Sequence, residues 1–125
     1  ESGFNETITS TFFDADHTEG DATQVPVYEA GDDQAGTDAV YQKIARGVGN
    51  ENDECMSGEL HLYNPASTTY EKHFYSRVAE YMGSSRIIDN FVAGYINITA
   101  AITEIDFKFA SGNIDAGKIK MYGIK

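Results

Sequence analysis

His61 and His73 are the side chains whose types and spacing come nearest to a reactive pair in this chain. If each lies on one strand of a hairpin, the two imidazoles approach each other, and two imidazoles make half of a zinc site. No third ligand is indicated beside them, so two surface histidines are the simpler reading. His61 sits between Leu60 and Leu62, which turns it to the solvent side of a strand or toward a neighbouring subunit. Cys55 is the sole cysteine, which excludes an intrachain disulfide. Nothing around it signals a thiol nucleophile, and it is expected as a small buried or half-buried side chain. The sequence holds no Gly-x-Ser-x-Gly elbow, no His-Glu-x-x-His and no phosphate-cradling glycine loop. Gly47-Val-Gly49 lacks the third glycine and the helix start of a dinucleotide fingerprint. With no catalytic constellation in view, the chain is expected to be no enzyme and to carry no cofactor.

Carboxylates are the other chemical resource. Asp14, Asp16, Glu19 and Asp21 cluster in a stretch that reads as a loop, as do Asp32, Asp33 and Asp38, and Glu51, Asp53 and Glu54. Calcium takes several carboxylate and carbonyl oxygens from flexible loops, so Asp14, Asp16, Glu19 and Asp21 are the calcium candidates. They fail the EF-hand template, because Glu19 falls where the glycine belongs. Solvated acidic loops are the simpler account. Paired carboxylates could also serve glycoside hydrolysis, yet no pair among the twenty acids stands out.

The acids are unevenly spread. Ten fall in residues 1–42, where there is no Lys or Arg; the remaining ten face nine bases, so most of the net charge of −11 sits in the first third. Such a surface repels phosphates and anionic lipid, which argues against nucleic-acid and membrane partners. No apolar run nears the roughly 20 residues needed to span a bilayer. A length of 125 residues fits one domain, with the acidic, loop-rich third at 1–42. The chain starts at Glu1 without an export signal, which reads as a processed chain or a piece of a longer one.

Stepping along the chain, apolar–polar alternation recurs every ten to fifteen residues and helical periodicity is scarce. Strands are expected at Ile8–Phe13, Val25–Glu29, around Leu60 and Leu62 up to Asn64-Pro65, at Thr69–Arg77 and at Phe91–Ile98; Val40–Val48 fits a strand or one to two helical turns, with the strand favoured. Pro26 puts the second at an edge, and Gly94 suggests a bulge in the last. Residues 81–86 contain a Gly-Ser-Ser turn. The clearest alternation spans Ile102 to Ile124. There Ile105, Phe107, Phe109, Ile119 and Met121 are expected on one buried layer of a closing hairpin turned at Ser111–Gly117. About eight short strands predict an all-β antiparallel sandwich, jelly-roll-like.

Eight tyrosines and seven phenylalanines supply most of that core. Tyr70, Tyr75 and Tyr81 fall beside charged residues and are candidates for exposed contacts, either at a subunit interface or stacked on a sugar.

A set of ordered segments carries a resemblance. They are Gly58-Glu-Leu-His-Leu-Tyr-Asn-Pro65, Lys72-His-Phe74, Phe91-Val-Ala-Gly-Tyr95, Ser111-Gly-Asn-Ile114 and Gly117-Lys-Ile-Lys-Met-Tyr-Gly-Ile124. Asp33-Gln34, Gln42-Lys-Ile-Ala-Arg-Gly-Val-Gly49 and Asp53-Glu54 extend it, so it runs from about Val27 to the end. Together they resemble a virion structural family of tailed bacteriophages, marine ones especially, described as tail-fibre, head-fibre or structural proteins. The resemblance implies a jelly-roll-like module on the outside of a virus particle, a homotrimer, other virion proteins as partners, and no activity or cofactor. Relatives carry further chain ahead of the part matching Glu1. The expected function is therefore a capsid decoration or fibre component acting through packing and attachment. The alternative is a carbohydrate-binding or host-receptor-binding module at a fibre tip.

Overall fold

The computed structural model describes residues 4–124; Glu1, on which the expectation of processing rests, lies outside them. Among the described residues the chain is all-β without helix. Its strands are β1 (Ile8–Thr18), β2 (Thr23–Tyr28), β3 (Met56–Leu62), β4 (Lys72–Met82) and β5 (Arg86–Ile96). They form one antiparallel sheet in the order β2-β1-β5-β4-β3. The three long strands sit in the middle, where both edges are paired, and the short ones close the sides. An open sheet of five strands replaces the sandwich of about eight.

Local chemistry explains the tight connections. Met82 pairs with Arg86 across Gly83-Ser84-Ser85, where both serines take positive φ, of 77° and 51°. The β1–β2 turn is closed by the Asp21 N–H on the Thr18 carbonyl (3.0 Å), with Asp21 at φ 64°. Aspartate tolerates that left-handed region better than most residues. Beyond Leu62 the chain turns at Asn64 (φ 49°), ahead of Pro65, so β3 stops where expected.

The order of strands dictates what covers the sheet. β2 and β3 are consecutive in sequence yet lie at opposite edges, so residues 29–55 must cross the whole sheet. They do so over one face without forming a strand; the expected strand at Val40–Val48 is absent because this segment lies across the ladder rather than in it. Beneath it Phe12, Phe74 and Val92 make the core cluster, flanked by Ile8, Leu60, Leu62 and Ile96. Fully burying one such side chain contributes about 1.5–3 kcal/mol.

This covered face is unusually polar. Asp14, Lys72, Ser76, Glu80 and Asn90 are all buried on it, alternating with apolar neighbours. Burial without a hydrogen-bond partner would be costly, and the irregular segments supply most of those partners. The Lys72 Nζ donates to the carbonyls of Tyr70 (2.6 Å), Ile98 (3.2 Å) and Thr99 (3.1 Å). The Glu80 carboxyl accepts the backbone N–H groups of Arg46 (3.0 Å) and Gly47 (3.1 Å). Arg46 reaches Asp14 (2.9 Å), Glu29 (2.9 Å) and Asp32 (3.2 Å), and Lys43 pairs with Asp32. Burial works against the Arg46 charge, but Asp14's hydrogen bond and the three surrounding carboxylates outweigh it and raise its pKa.

Two glycines mark close backbone approach. A Cβ on Gly94 would lie 2.4 Å from the Thr9 carbonyl oxygen, and one on Gly58 would lie 2.4 Å from that of Arg77. Gly94 is therefore no bulge; the register of β5 runs unbroken on both sides. The irregularity falls instead between Asp14 and Asp16, in the β1–β2 pairing.

The closing hairpin is not formed. Past β5, Ile98 is buried and the Ile102 N–H bonds the Pro65 carbonyl (2.9 Å), but no strand follows among the described residues. Ile105, Ile119 and Met121 are exposed; Phe107 and Phe109 are half-buried. Alternation produces a strand only where a backbone edge and an apolar layer are both on offer. Here the covered face is already occupied by residues 29–55, and the segment stays irregular and unpaired.

Candidate functional site

The opposite face of the sheet has no such cover. Register aligns its side chains in rungs that run across the strands. One holds Tyr28, Phe13, Phe91, Arg77 and Glu59; the next holds Thr11, Ala93, Tyr75 and His61; a third holds Thr9, Tyr95 and His73. On the other side of the first rung lie Ala15, Asp89, Ala79 and Ser57, then His17, Ile87 and Tyr81.

Aromatic rings dominate this face. Phe13 and Phe91 stack at 5.0 Å between centroids, and the Arg77 guanidinium lies 5.0 Å over the Phe91 ring. His61 stacks on Tyr75 at 4.5 Å, with Tyr63 at 6.1 Å from Tyr75 on the other side. Offset stacking of this kind contributes about 0.5–1.5 kcal/mol per pair beyond area burial. Arg77 also grips Asp89 in a two-pronged pair, Nε to Oδ1 at 3.0 Å and Nη2 to Oδ2 at 2.6 Å, which raises the Arg77 pKa through Asp89's hydrogen bond and charge. The Tyr75 hydroxyl is likewise held above its usual value by partial burial and by its neighbours Tyr63 and Glu59.

Two shallow depressions interrupt the face. One, of about 350 Å³, has a floor of Ser57, Gly58 and Ala79 with Glu59, Arg77 and Asp89 around it. The other, of about 430 Å³, lies near the β1–β2 turn between His17, Asp21, Tyr81 and Ile87. Small residues beside the first aromatic rung create the former. Each is open to solvent and could hold one side of a flat ligand or a protruding side chain, and neither encloses a reacting group.

Tyr75 and Tyr81 both belong to this face, whereas Tyr70 is exposed in the loop before β4. His61 and His73 share the face on neighbouring rungs, but tyrosines occupy both rings: Tyr75 stacks on His61 and Tyr95 lies 6.0 Å from His73. Cys55 is exposed just before β3, not buried or half-buried, because the chain at that edge lies outside the covered layer.

The calcium candidates are dispersed. Asp14 and Asp16 lie on strand β1 rather than in a loop, Asp14 against Arg46 and Asp16 against Arg86 (3.1 Å). Asp21 faces His17 at 3.4 Å, and Glu19 is exposed. Among the described residues no three His, Cys, Asp or Glu side chains converge as metal ligands would.

Phe13, Phe91, Arg77 and Asp89 were not singled out by sequence reasoning. Asn90 between Asp89 and Phe91 breaks the apolar alternation of β5, and which partner strand they meet depends on register. The chain matches no protein-family model, no curated protein and no solved structure.

Proposed function

We propose that this chain is a non-catalytic assembly module, a decoration or fibre component on the exterior of a virus particle that works by subunit packing and attachment. Its partners in this reading are further copies of itself, as a homotrimer, and other virion proteins. The observation that carries the packing half is the amount of organised apolar surface left uncovered: the aromatic face of the sheet, and Ile114, Ile119, Met121, Tyr122 and Ile124 beyond it, all exposed. Large contiguous apolar surface on a folded chain marks an interaction site. The virion half rests on the ordered segments from Val27 onward and their resemblance to phage structural proteins.

Light scattering of the purified chain, followed by electron microscopy of particles from the source virus with a chain-specific antibody, tests the proposal. Defined oligomers, and label at fixed stoichiometry on the particle exterior, are expected. A monomer at all concentrations, or particles without label, would overturn it.

A second reading has its own observation. The depression at Ser57, Glu59, Arg77 and Asp89 adjoins the Tyr75–His61 stack, so a flat apolar surface and hydrogen-bonding groups lie side by side, as a sugar ring requires. A glycan array with hits that disappear in Tyr75→Ala would select this carbohydrate-binding function. An array without hits would remove it.

A further inference from the structure

We infer that residues 117–124 of one copy add as an extra strand to the outer edge of β3 in a second copy. The inference rests on the assembly reading and names the contact through which assembly occurs.

The outer edge of β3 is unpaired. The Tyr63 N–H donates to His73 and the Tyr81 N–H to Cys55, both at 2.9 Å, so the odd-numbered residues of β3 point their backbone groups toward β4. Hydrogen-bonding direction alternates along an antiparallel strand. Met56, Gly58, Leu60 and Leu62 therefore point theirs outward, and among the described residues no backbone bond reaches them. Exposed edges of this kind template strand addition unless they are blocked. The other edge, β2, is blocked by Pro26, which has no N–H, and by the irregularity between Asp14 and Asp16.

The same chain carries a segment with strand alternation and no partner. Gly117 to Ile124 alternates Lys118, Lys120 and Tyr122 with Ile119 and Met121, all exposed. Among the described residues none of these forms a hydrogen bond within the chain. The segment leaves its own molecule at a defined point: the Tyr41 hydroxyl bonds Asp106, and Lys108 Nζ sits 4.0 Å over the Tyr41 ring. Beyond that anchor it runs clear of its own β3 and leaves that edge vacant.

Edge and segment match on both faces. With Ile119 and Met121 on the covered side they extend the half-buried layer of Leu60 and Leu62. Lys118 and Lys120 then fall on the open side beside Glu59. Charge agrees with this: residues 51–62 hold Glu51, Asp53, Glu54 and Glu59 with no Lys or Arg, and residues 107–124 hold three Lys and one Asp. Each copy gives one segment and receives one, so the contact is head-to-tail and can close into a ring.

Ile119→Asp and Met121→Pro test this, because both positions are exposed in the single chain and its own fold does not use them. Light scattering of the full chain should show an oligomer for the wild type and monomer for each variant, with unchanged near-ultraviolet circular dichroism. Lys118→Glu/Lys120→Glu and Glu59→Lys should each assemble poorly alone and recover in part when mixed, since contacts between the two variants are again between opposite charges and a ring of three holds two such contacts. Variants that assemble like the wild type would overturn the inference and leave the assembly reading standing. A monomeric wild type would overturn both.

Discussion

The buried ammonium of Lys72 lies 3.2 Å from the carbonyl oxygen of Ile98, which ties the start of β4 to the chain leaving β5. Tyr70 and Thr99 complete its shell, so all three N–H bonds of the ammonium have backbone acceptors. Lys72→Met keeps the length and packing of the side chain and removes all three bonds. We expect a loss on the order of 2 kcal/mol, mostly from the Ile98 carbonyl left buried without a donor. Urea denaturation measures it. A loss below about 1 kcal/mol would mean that water replaces the ammonium.

Gly94 tests the packing of β1 on β5. A Cβ there meets the Thr9 carbonyl oxygen and the Ser10 Cβ, 2.4 and 2.8 Å away, and neither is the movable end of a long side chain. Gly94→Ala is expected to cost about 2 kcal/mol or more, as overpacking between paired strands does. Gly31→Ala is the control, since a Cβ at Gly31 meets nothing within 4 Å. Thermal melts of the two should separate clearly; equal midpoints would show that the strands can part without loss.

These two residues show what was legible beforehand. Strand existence was readable wherever turn chemistry bounded it, as at Asn64-Pro65 and Gly83-Ser84-Ser85. Strand facing was not. On β4 the buried side carries Lys72, Ser76 and Glu80 while Tyr75 and Tyr81 face out, so hydropathy points the wrong way at several positions. The loops over the covered face make this possible by supplying backbone partners, and no local pattern announces them. Asp14 and Asp16 resemble loop residues for the same reason: their partners, Arg46 and Arg86, are distant in sequence. The alternation from Ile102 to Ile124 reads as a hairpin because alternation reports the capacity to pair, and not whether an edge is within reach. Of the open face, Tyr75 and Tyr81 could be named in advance, but the Phe13–Phe91 stack and the Arg77–Asp89 pair needed the register of β1, β4 and β5.

Ser84 and Ser85 hold the β4–β5 turn at positive φ. A side chain in that region costs about 1 kcal/mol relative to glycine, because Cβ crowds the neighbouring carbonyl. Ser84→Gly, at φ 77°, should relieve that strain, less the extra entropy that glycine loses on folding. A net gain of about 0.5 kcal/mol is expected, visible as a rise of a few degrees in melting temperature. A fall would mean that the Ser84 side chain supports the turn by a contact of its own.

The Tyr41–Asp106 bond at the root of the C-terminal segment makes a prediction about alkaline pH. The Tyr41 hydroxyl is held above its ordinary pKa of 10.0, first by its hydrogen bond to Asp106, then by partial desolvation and the negative charge beside it. Raising the pKa in the folded chain means that the protonated phenol is the form the fold favours. The contact is therefore intact below about pH 10 and is lost as pH climbs through the raised value. Tyr28 behaves alike through Asp33, and Tyr75 through partial burial and its neighbours Tyr63 and Glu59, so three tyrosines should titrate late. Absorbance at the tyrosinate band, followed against pH, should lose one late component in Tyr41→Phe. In Asp106→Asn the same component should return toward pH 10, because the amide carries no charge to oppose the phenolate. A late component that persists unchanged in both variants would show that Tyr41 is not bonded to Asp106 in solution, and that the segment beyond it is anchored elsewhere.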